Sequence, residues 1–343
     1  MKKILVVFTG GTIGSFVADG TINTSSKAAF ALLQLFQQHD NDPSDIHFDT
    51  LQPYEILSEN LAPPAWKLLI EAIESANPEN YDGIIVTHGT DTLAYTAAAL
   101  SFYFHALAKP LLLVSSDYPL ANPKGNGLAN FICAVDFIRK EIANGVFVPY
   151  RNAGQTMQIH RGSRLTCSLQ LTGDFFSVRH NSFMQYDGQQ FNAINELPTK
   201  HQNVNASLIS LKPEFSTRVL MLKPYPGLDY NHINLDGIEA VLHDLYHSGT
   251  ACTSAQWGNQ HSLVEFLKAC RDNGIPVFLA PAFKTENAYQ STRELLKQGA
   301  EMIWNMSIEA AYVKVMLGVG NFSERQVLIH FIEMDIAHEH VHL

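Results

Sequence analysis

The stretch GIIVTHGTDTLAYTAAALSFYFH, Gly83–His105, opens with five residues that carry no charge and no apolar–polar alternation. Such a run predicts a strand buried on both faces, the habit of a parallel sheet covered by helices. Asp91 or Thr92 is placed to cap the helix predicted at Leu93–His105. The polar loop His88–Thr92 therefore falls between the carboxyl end of a strand and the start of a helix. In open α/β sheets that is where ligands bind, and helix-start N–H groups favour a carboxylate or a developing oxyanion.

Working outward, the same unit recurs. Ile4–Phe8 is another unbroken apolar run and enters Thr9-Gly-Gly-Thr12. Adjacent glycines let a backbone approach a small ligand closely and present N–H groups to it. Helices are predicted at Lys27–His39, Ala65–Ser75 (opened by Pro63-Pro64) and Leu128–Ala143, and strands at Pro110–Ser115 and Val146–Pro149. Asn152–Val178 reads as a hairpin-bearing β segment. The polar, aperiodic stretch 192–217 is expected to hold a domain boundary. Beyond it, strands are predicted at Arg218–Lys223 and Ile275–Ala280, and helices near Leu235–Leu242, at Ser262–Asp272, Ala288–Gln298 and Ile308–Val319. Strands alternating with helices specify an α/β fold. The expectation is a larger N-terminal domain over 1–191 with a mostly parallel sheet, and a smaller C-terminal α/β domain over 218–343.

Composition narrows the partners. The chain has 343 residues, 46% of them hydrophobic, and a net charge of −10. About two domains of ordinary size are expected. The acidic balance argues against nucleic-acid phosphate or an anionic membrane surface as a partner. Cys133, Cys167, Cys252 and Cys270 are widely spaced, without a CxxC pair, so neither a zinc site nor a disulfide framework is predicted. Ile4–Phe8 is too short for a signal peptide core or a membrane span, and a cytoplasmic protein is expected. The tail Ala337-His-Glu-His-Val-His-Leu343 reads as a solvated terminus in preference to a metal site.

Taken together, TGGTIG (Thr9–Gly14) and HGTDTLAYTAAALSF (His88–Phe102) resemble the two signatures of bacterial-type L-asparaginases. The likeness extends to Ser58-Glu59-Asn60, to the Gly127/Asn130 region and to MSIEAAYVKVML (Met306–Leu317), and so spans the chain. The length is more like the free cytoplasmic enzyme of that family than the related archaeal tRNA-amidotransferase subunit. The resemblance implies an amidohydrolase that releases ammonia from L-asparagine or a related small ω-amide. Thr12 would be the nucleophile, with Thr90 and Asp91 as a second polar pair. Gly11, Ser58, Glu59, Gly89 and Ser116 would hold the substrate, and backbone N–H groups of both loops the oxyanion. It implies no cofactor and no metal, and a homodimer or homotetramer. His88 is expected to shape its loop and not to act as a base.

The sequence departs from the family where a lysine and a tyrosine activate the nucleophile. Cys167 stands at the lysine position of Arg161–Cys167, and Thr21 at the tyrosine position of the N-terminal loop. Val114-Ser-Ser-Asp117 replaces another family loop, and Cys252 stands where the family supplies an asparagine across its subunit interface. Cys167 reads as a small buried residue in preference to a base; a thiolate there would need its pKa lowered by Arg161 and Arg164, and Tyr54 or Tyr150 could in principle supply the missing phenol. These departures support an alternative expectation: a degenerate relative that binds a small amino acid or amide without hydrolysing it.

Overall fold

A computed structural model of the chain describes residues 1–11, 13, 15–18, 21–24, 26–40, 42–169, 171–194 and 209–341, with the backbone alone described at 15–18, 21–24, 26–30 and 43. The chain divides into two units: Met1–Pro213 with Ile336–His338, and Glu214–Asp335 with the residues from Glu339 on. Residues 195–208 of the expected linker lie outside the described residues.

The first unit contains β1 (Lys2–Phe8), the hairpin β2 (Ser15–Ala18) and β3 (Thr21–Thr24), α1 (Ser26–His39), β4 (Ile46–Leu51), α2 (Pro63–Ser75), β5 (Gly83–Thr87), α3 (Leu93–Tyr103), β6 (Pro110–Val114), α4 (Gly127–Arg139), β7 (Gly145–Tyr150), β8 (Met157–Arg161), β9 (Met184–Tyr186) and β10 (Phe191–Ala193). Eight strands form one sheet in the order β10-β9-β8-β7-β6-β5-β1-β4. The β4-β1-β5-β6-β7 part is parallel, and β8 to β10 continue it antiparallel. Every residue of β5 and β6 is buried, as their unbroken apolar runs require. α3 is buried almost all round, from Thr96 to Phe102 without a break, and not along one stripe. On the α1/α4 side, Phe36 meets Phe131 and Phe48 edge-on at 5.6 Å. Arg139 at the end of α4 reaches Asp40 (2.6 Å), Asp45 (2.9 Å) and Asp136 (2.8 Å).

The second unit holds β11 (Val219–Leu222), β12 (Ala240–Asp244), α5 (Leu263–Asp272), β13 (Val277–Ala282), α6 (Gln290–Lys297), β14 (Glu301–Trp304), α7 (Ile308–Asn321) and α8 (Arg325–Glu333). Its sheet, β11-β12-β13-β14, is wholly parallel. The large, mostly parallel sheet and the smaller α/β unit agree with the predicted fold class.

Four readings are corrected. The helix expected near Leu235–Leu242 is β12: Asp236 and Gly237 (φ +73°) close a turn, and the short run after it is buried between β11 and β13. Edge strands β4 and β14 and helix α8 were not foreseen; the mixed exposure of β4 gives no clean period. Asn152–Val178 supplies a single strand, β8, followed by turns and one bridge, Leu165 to Ser177. The described part of the tail is partly buried and not wholly solvated: Glu339 is fully buried against Lys314 of α7, and Val341 N–H bonds Asn305 O, while His338 is exposed. Among the described residues no helix is long and apolar enough to cross a membrane.

Candidate functional site

Three segments converge at the carboxyl ends of β1 and β5. Gly10 and Gly11 leave β1 with φ of +101° and +78°, values that disfavour a side chain. Segment 54–58 runs beside them, with Ile56 N–H donating to Thr9 O (3.1 Å) and Gly11 N–H to Ile56 O (3.2 Å). The Thr9 hydroxyl donates to Thr87 O (2.6 Å), tying the end of β1 to the end of β5. A Cβ on Gly11 would lie 2.3 Å from Gly89 N, and one on Gly89 2.4 Å from Ser58 Oγ. The loops 9–11 and 88–92 are thus locked backbone to backbone, with Ser58 against both.

Ser58 is buried and ties segment 54–58 to loop 88–92. Its hydroxyl donates to Asp91 Oδ2 (3.1 Å) and accepts from Asp91 N–H (3.2 Å), while Thr92 Oγ1 donates to Ser58 O (2.9 Å). The capping role expected of Asp91 or Thr92 is corrected here: Thr92 is the cap residue of α3, but its hydroxyl is committed to Ser58 and bonds no helix N–H. Asp91 is exposed beside Ser58, Thr90 is half-buried, and Glu59 is exposed. Among the described residues the N–H groups of Gly89 and Thr90 have no hydrogen-bond acceptor.

The remaining expected residues are placed as follows. Thr12 lies outside the described residues, as does Gly14. Thr21 opens β3, its backbone paired with Ala18. Ser116 is fully buried, and its hydroxyl donates to Tyr118 O (2.5 Å). Cys167 is half-buried. The Arg161 guanidinium stacks 4.4 Å from the Phe183 ring, and Arg164 donates to His338 O. Tyr150 is buried, donates to Gly173 O (2.8 Å), and has its phenol pushed up to about 12 by burial, so it is no base. The Tyr54 hydroxyl is buried, lacks a partner among the described residues, and is also pushed well up by burial.

Sequence reasoning missed the asparagines that stand in for strand pairing around β6. Asn130 donates to Ser115 O (2.9 Å) and accepts from Arg151 N–H (3.0 Å). Asn126 Oδ1 accepts from Asp117 N–H (3.0 Å), Asn126 N–H donates to Asp117 Oδ1 (2.9 Å), and the Asn126 side-chain amide donates to Arg151 O (3.0 Å). Their signal, Asn at a helix start and one turn into it, was visible without its partners. Among the described residues no group of three His, Cys, Asp or Glu could hold a metal; His342 of the tail lies outside them.

Comparison with known proteins fits this geometry. The family model described as "Asparaginase, N-terminal" matches residues 3–198. A glutamyl-tRNA(Gln) amidotransferase subunit of Pyrococcus abyssi is 26% identical over 94% of this chain and 73% of its own length. The amidotransferase subunit of the same name from Aeropyrum pernix is 27% identical over 98% and 79%. Among solved structures, the thermostable L-asparaginase of Thermococcus kodakarensis superposes with a TM-score of 0.80, covering 99% and 100% of the two chains at 24% identity. L-asparaginase I of Vibrio cholerae gives 0.75 over 99% of each at 22% identity.

Proposed function

The chain belongs to the asparaginase family, and from that premise we propose that it is an amidohydrolase that releases ammonia from L-asparagine or a related small ω-amide. The observation that carries this reading is the interlock of loops 9–11 and 88–92, which leaves the Gly89 and Thr90 N–H groups without acceptors among the described residues, next to the Ser58–Asp91 pair. Thr12, one residue beyond Gly11, is the nucleophile. Its oxygen bonds to the amide carbon, the hydroxyl proton passes to the departing nitrogen, and ammonia leaves. Water then attacks the resulting ester, frees the carboxylate product and restores the hydroxyl. Backbone N–H groups hold the oxyanion in both steps; in other hydrolases one such donor is worth about 10²–10³ in kcat. Asp91 and Glu59 attract the substrate's ammonium, and Ser58 fixes Asp91. Thr90 completes the polar pair.

A threonine hydroxyl needs a base to act at neutral pH. Cys167 and Thr21 occupy the positions where the resemblance implies lysine and tyrosine, which favours a second reading, a protein that binds the amide without cleaving it. Ammonia release from L-asparagine, L-glutamine and a panel of small ω-amides decides between them; glutamine is included because the archaeal relatives carry a glutamyl-tRNA(Gln) amidotransferase name. Turnover abolished in Thr12→Ala supports the hydrolase. Calorimetric binding without ammonia, with activity gained in Cys167→Lys, establishes the second reading. Turnover unchanged in Thr12→Ala sinks the assigned nucleophile.

A further inference from the structure

His88 sits in a chain of hydrogen bonds whose two ends allow only one direction. Trp66 Nε1–H donates to Thr96 Oγ1 (3.0 Å), and an indole nitrogen cannot accept. Thr96 Oγ1 lies 2.8 Å from His88 Nε2, and His88 Nδ1 lies 2.7 Å from Gly89 O, which cannot donate. The ring must therefore carry its proton on Nδ1, and Nε2 accepts the Thr96 hydroxyl. A second ring proton would leave the buried Thr96 hydroxyl facing two donors. All three side chains are buried, on α2, α3 and the loop between β5 and α3.

Gly89 O and Thr90 N–H belong to one planar trans peptide and point in opposite directions. Drawing the carbonyl toward the buried ring turns the Thr90 N–H away from it. That N–H is one of the two left without an acceptor among the described residues, and Gly89 itself is pressed against Gly11 and Ser58. We propose that His88 is a positioning residue: held by Thr96 and Trp66, it fixes the Gly89–Thr90 peptide so that the Thr90 N–H faces the oxyanion of the reacting amide. The role rests on the amidohydrolase reading and adds to it, since His88 would act through the Gly89–Thr90 peptide and not on the reacting amide itself. Burial holds the imidazole down at about 4, against the opposing pull of the Gly89 carbonyl and of Asp91, the charged group acting on the ring from the same loop. The ring is neutral at neutral pH.

Two variants separate this role from simple packing. In His88→Asn the side-chain amide nitrogen overlies Nδ1 and keeps the bond to Gly89 O. In His88→Gln the terminal amide overlies Nε2, keeps the bond to Thr96 and loses the one to Gly89. Both delete the ring. His88→Gln is expected to lose about 10²-fold in kcat with KM unchanged, because an oxyanion donor acts only on the transition state. His88→Asn is expected to recover most of that loss, and wild-type kcat is expected to show no ionisation near the ordinary histidine value of about 6.5. Equal losses in the two variants, a loss confined to KM, or a kcat inflection near that value overturns the proposal. A wild-type protein that turns over no amide refutes the functional reading instead. The positioning role is then read by ¹⁵N NMR. A neutral, Nδ1-protonated ring between pH 5 and 8, with a Thr90 amide resonance kept in His88→Asn and moved in His88→Gln, supports it. A charged or Nε2-protonated ring, or a Thr90 resonance indifferent to the two variants, refutes it.

Discussion

Replacing Glu339 by glutamine is expected to cost the second unit about 3–5 kcal/mol, the range found when one partner of a buried ion pair is removed. Lys314 and Glu339 are both fully buried. The Lys314 ammonium donates to Glu339 Oε1 and to Met334 O and lies 5.6 Å from the centre of the Phe331 ring. A glutamine fills the same volume but removes the charge that compensates the buried ammonium. Against a domain stability of about 5–15 kcal/mol, that loss is about a fifth or more of the whole. Removing both charges should cost little: Lys314→Met with Glu339→Leu is expected within about 1 kcal/mol of the natural protein, or above it, because the desolvation of both ions disappears along with their attraction. Urea unfolding followed by the fluorescence of Trp257 and Trp304, both in this unit, measures the three proteins. Burial alone would raise the Glu339 carboxyl, but the Lys314 charge, a side-chain hydrogen bond with Asp335, the charge of His340 and the hydrogen bond from Lys314 together outweigh it and hold it at about 2. With the folded value below the unfolded one, the pair's contribution is fully present above about pH 4.5 and is lost as the pH falls toward 2. A single variant that loses less than about 1 kcal/mol, or a double variant that loses as much as the single, refutes this account.

Gly11→Ala is expected to abolish amide turnover and to destabilise the loop by about 2–5 kcal/mol, since a Cβ would meet Gly89 backbone at 2.3 Å in a left-handed conformation; activity and a melting curve check it. His88, His160 and His243 are each held at about 4 by burial, below the 6.5 of the unfolded chain. Their stabilisation is therefore complete above pH 6.5 and lost as the pH falls toward 4, at up to about 1.4 kcal/mol per pH unit for each. Urea midpoints at pH 7.5, 6.5 and 5.5 should fall in that order, and a flat series contradicts the burial. Arg139→Leu strands the carboxylates of Asp40, Asp45 and Asp136 and is expected to cost about 1–3 kcal/mol, read from the melting temperature of the first unit.

Central strands were the most readable elements. Gly83–Thr87 matches its predicted limits to the residue, and Pro110–Ser115 to within one. Burial on both faces writes itself into an unbroken apolar run, and few other structures produce one. Edge strands β4 and β14 carry no such mark, because only part of each is covered. β12 was misread for a related reason: five residues are too few to show a period, and only their place between β11 and β13 makes them a strand. In the site, the glycines of loops 9–11 and 88–92 announced a close approach of backbone, but not what approaches. That Gly11 meets Gly89, that Ser58 bonds both ends of Asp91, and that the Ser116 hydroxyl bonds Tyr118 O depend on how the folded backbone brings these atoms together.

The sequence by itself determined the α/β class, the large mostly parallel sheet and the two signature loops at strand ends, because each of these is set by local runs and by residues that only certain backbone conformations accept. Tertiary structure alone decided the proton on His88, the partner of Glu339 and the carbonyl that the Ser116 hydroxyl bonds. These are settled by donors and acceptors that the fold brings together once water is excluded. No local pattern encodes them: a histidine, a glutamate or a serine reads the same in the sequence whether its partner is water or a buried group elsewhere in the chain.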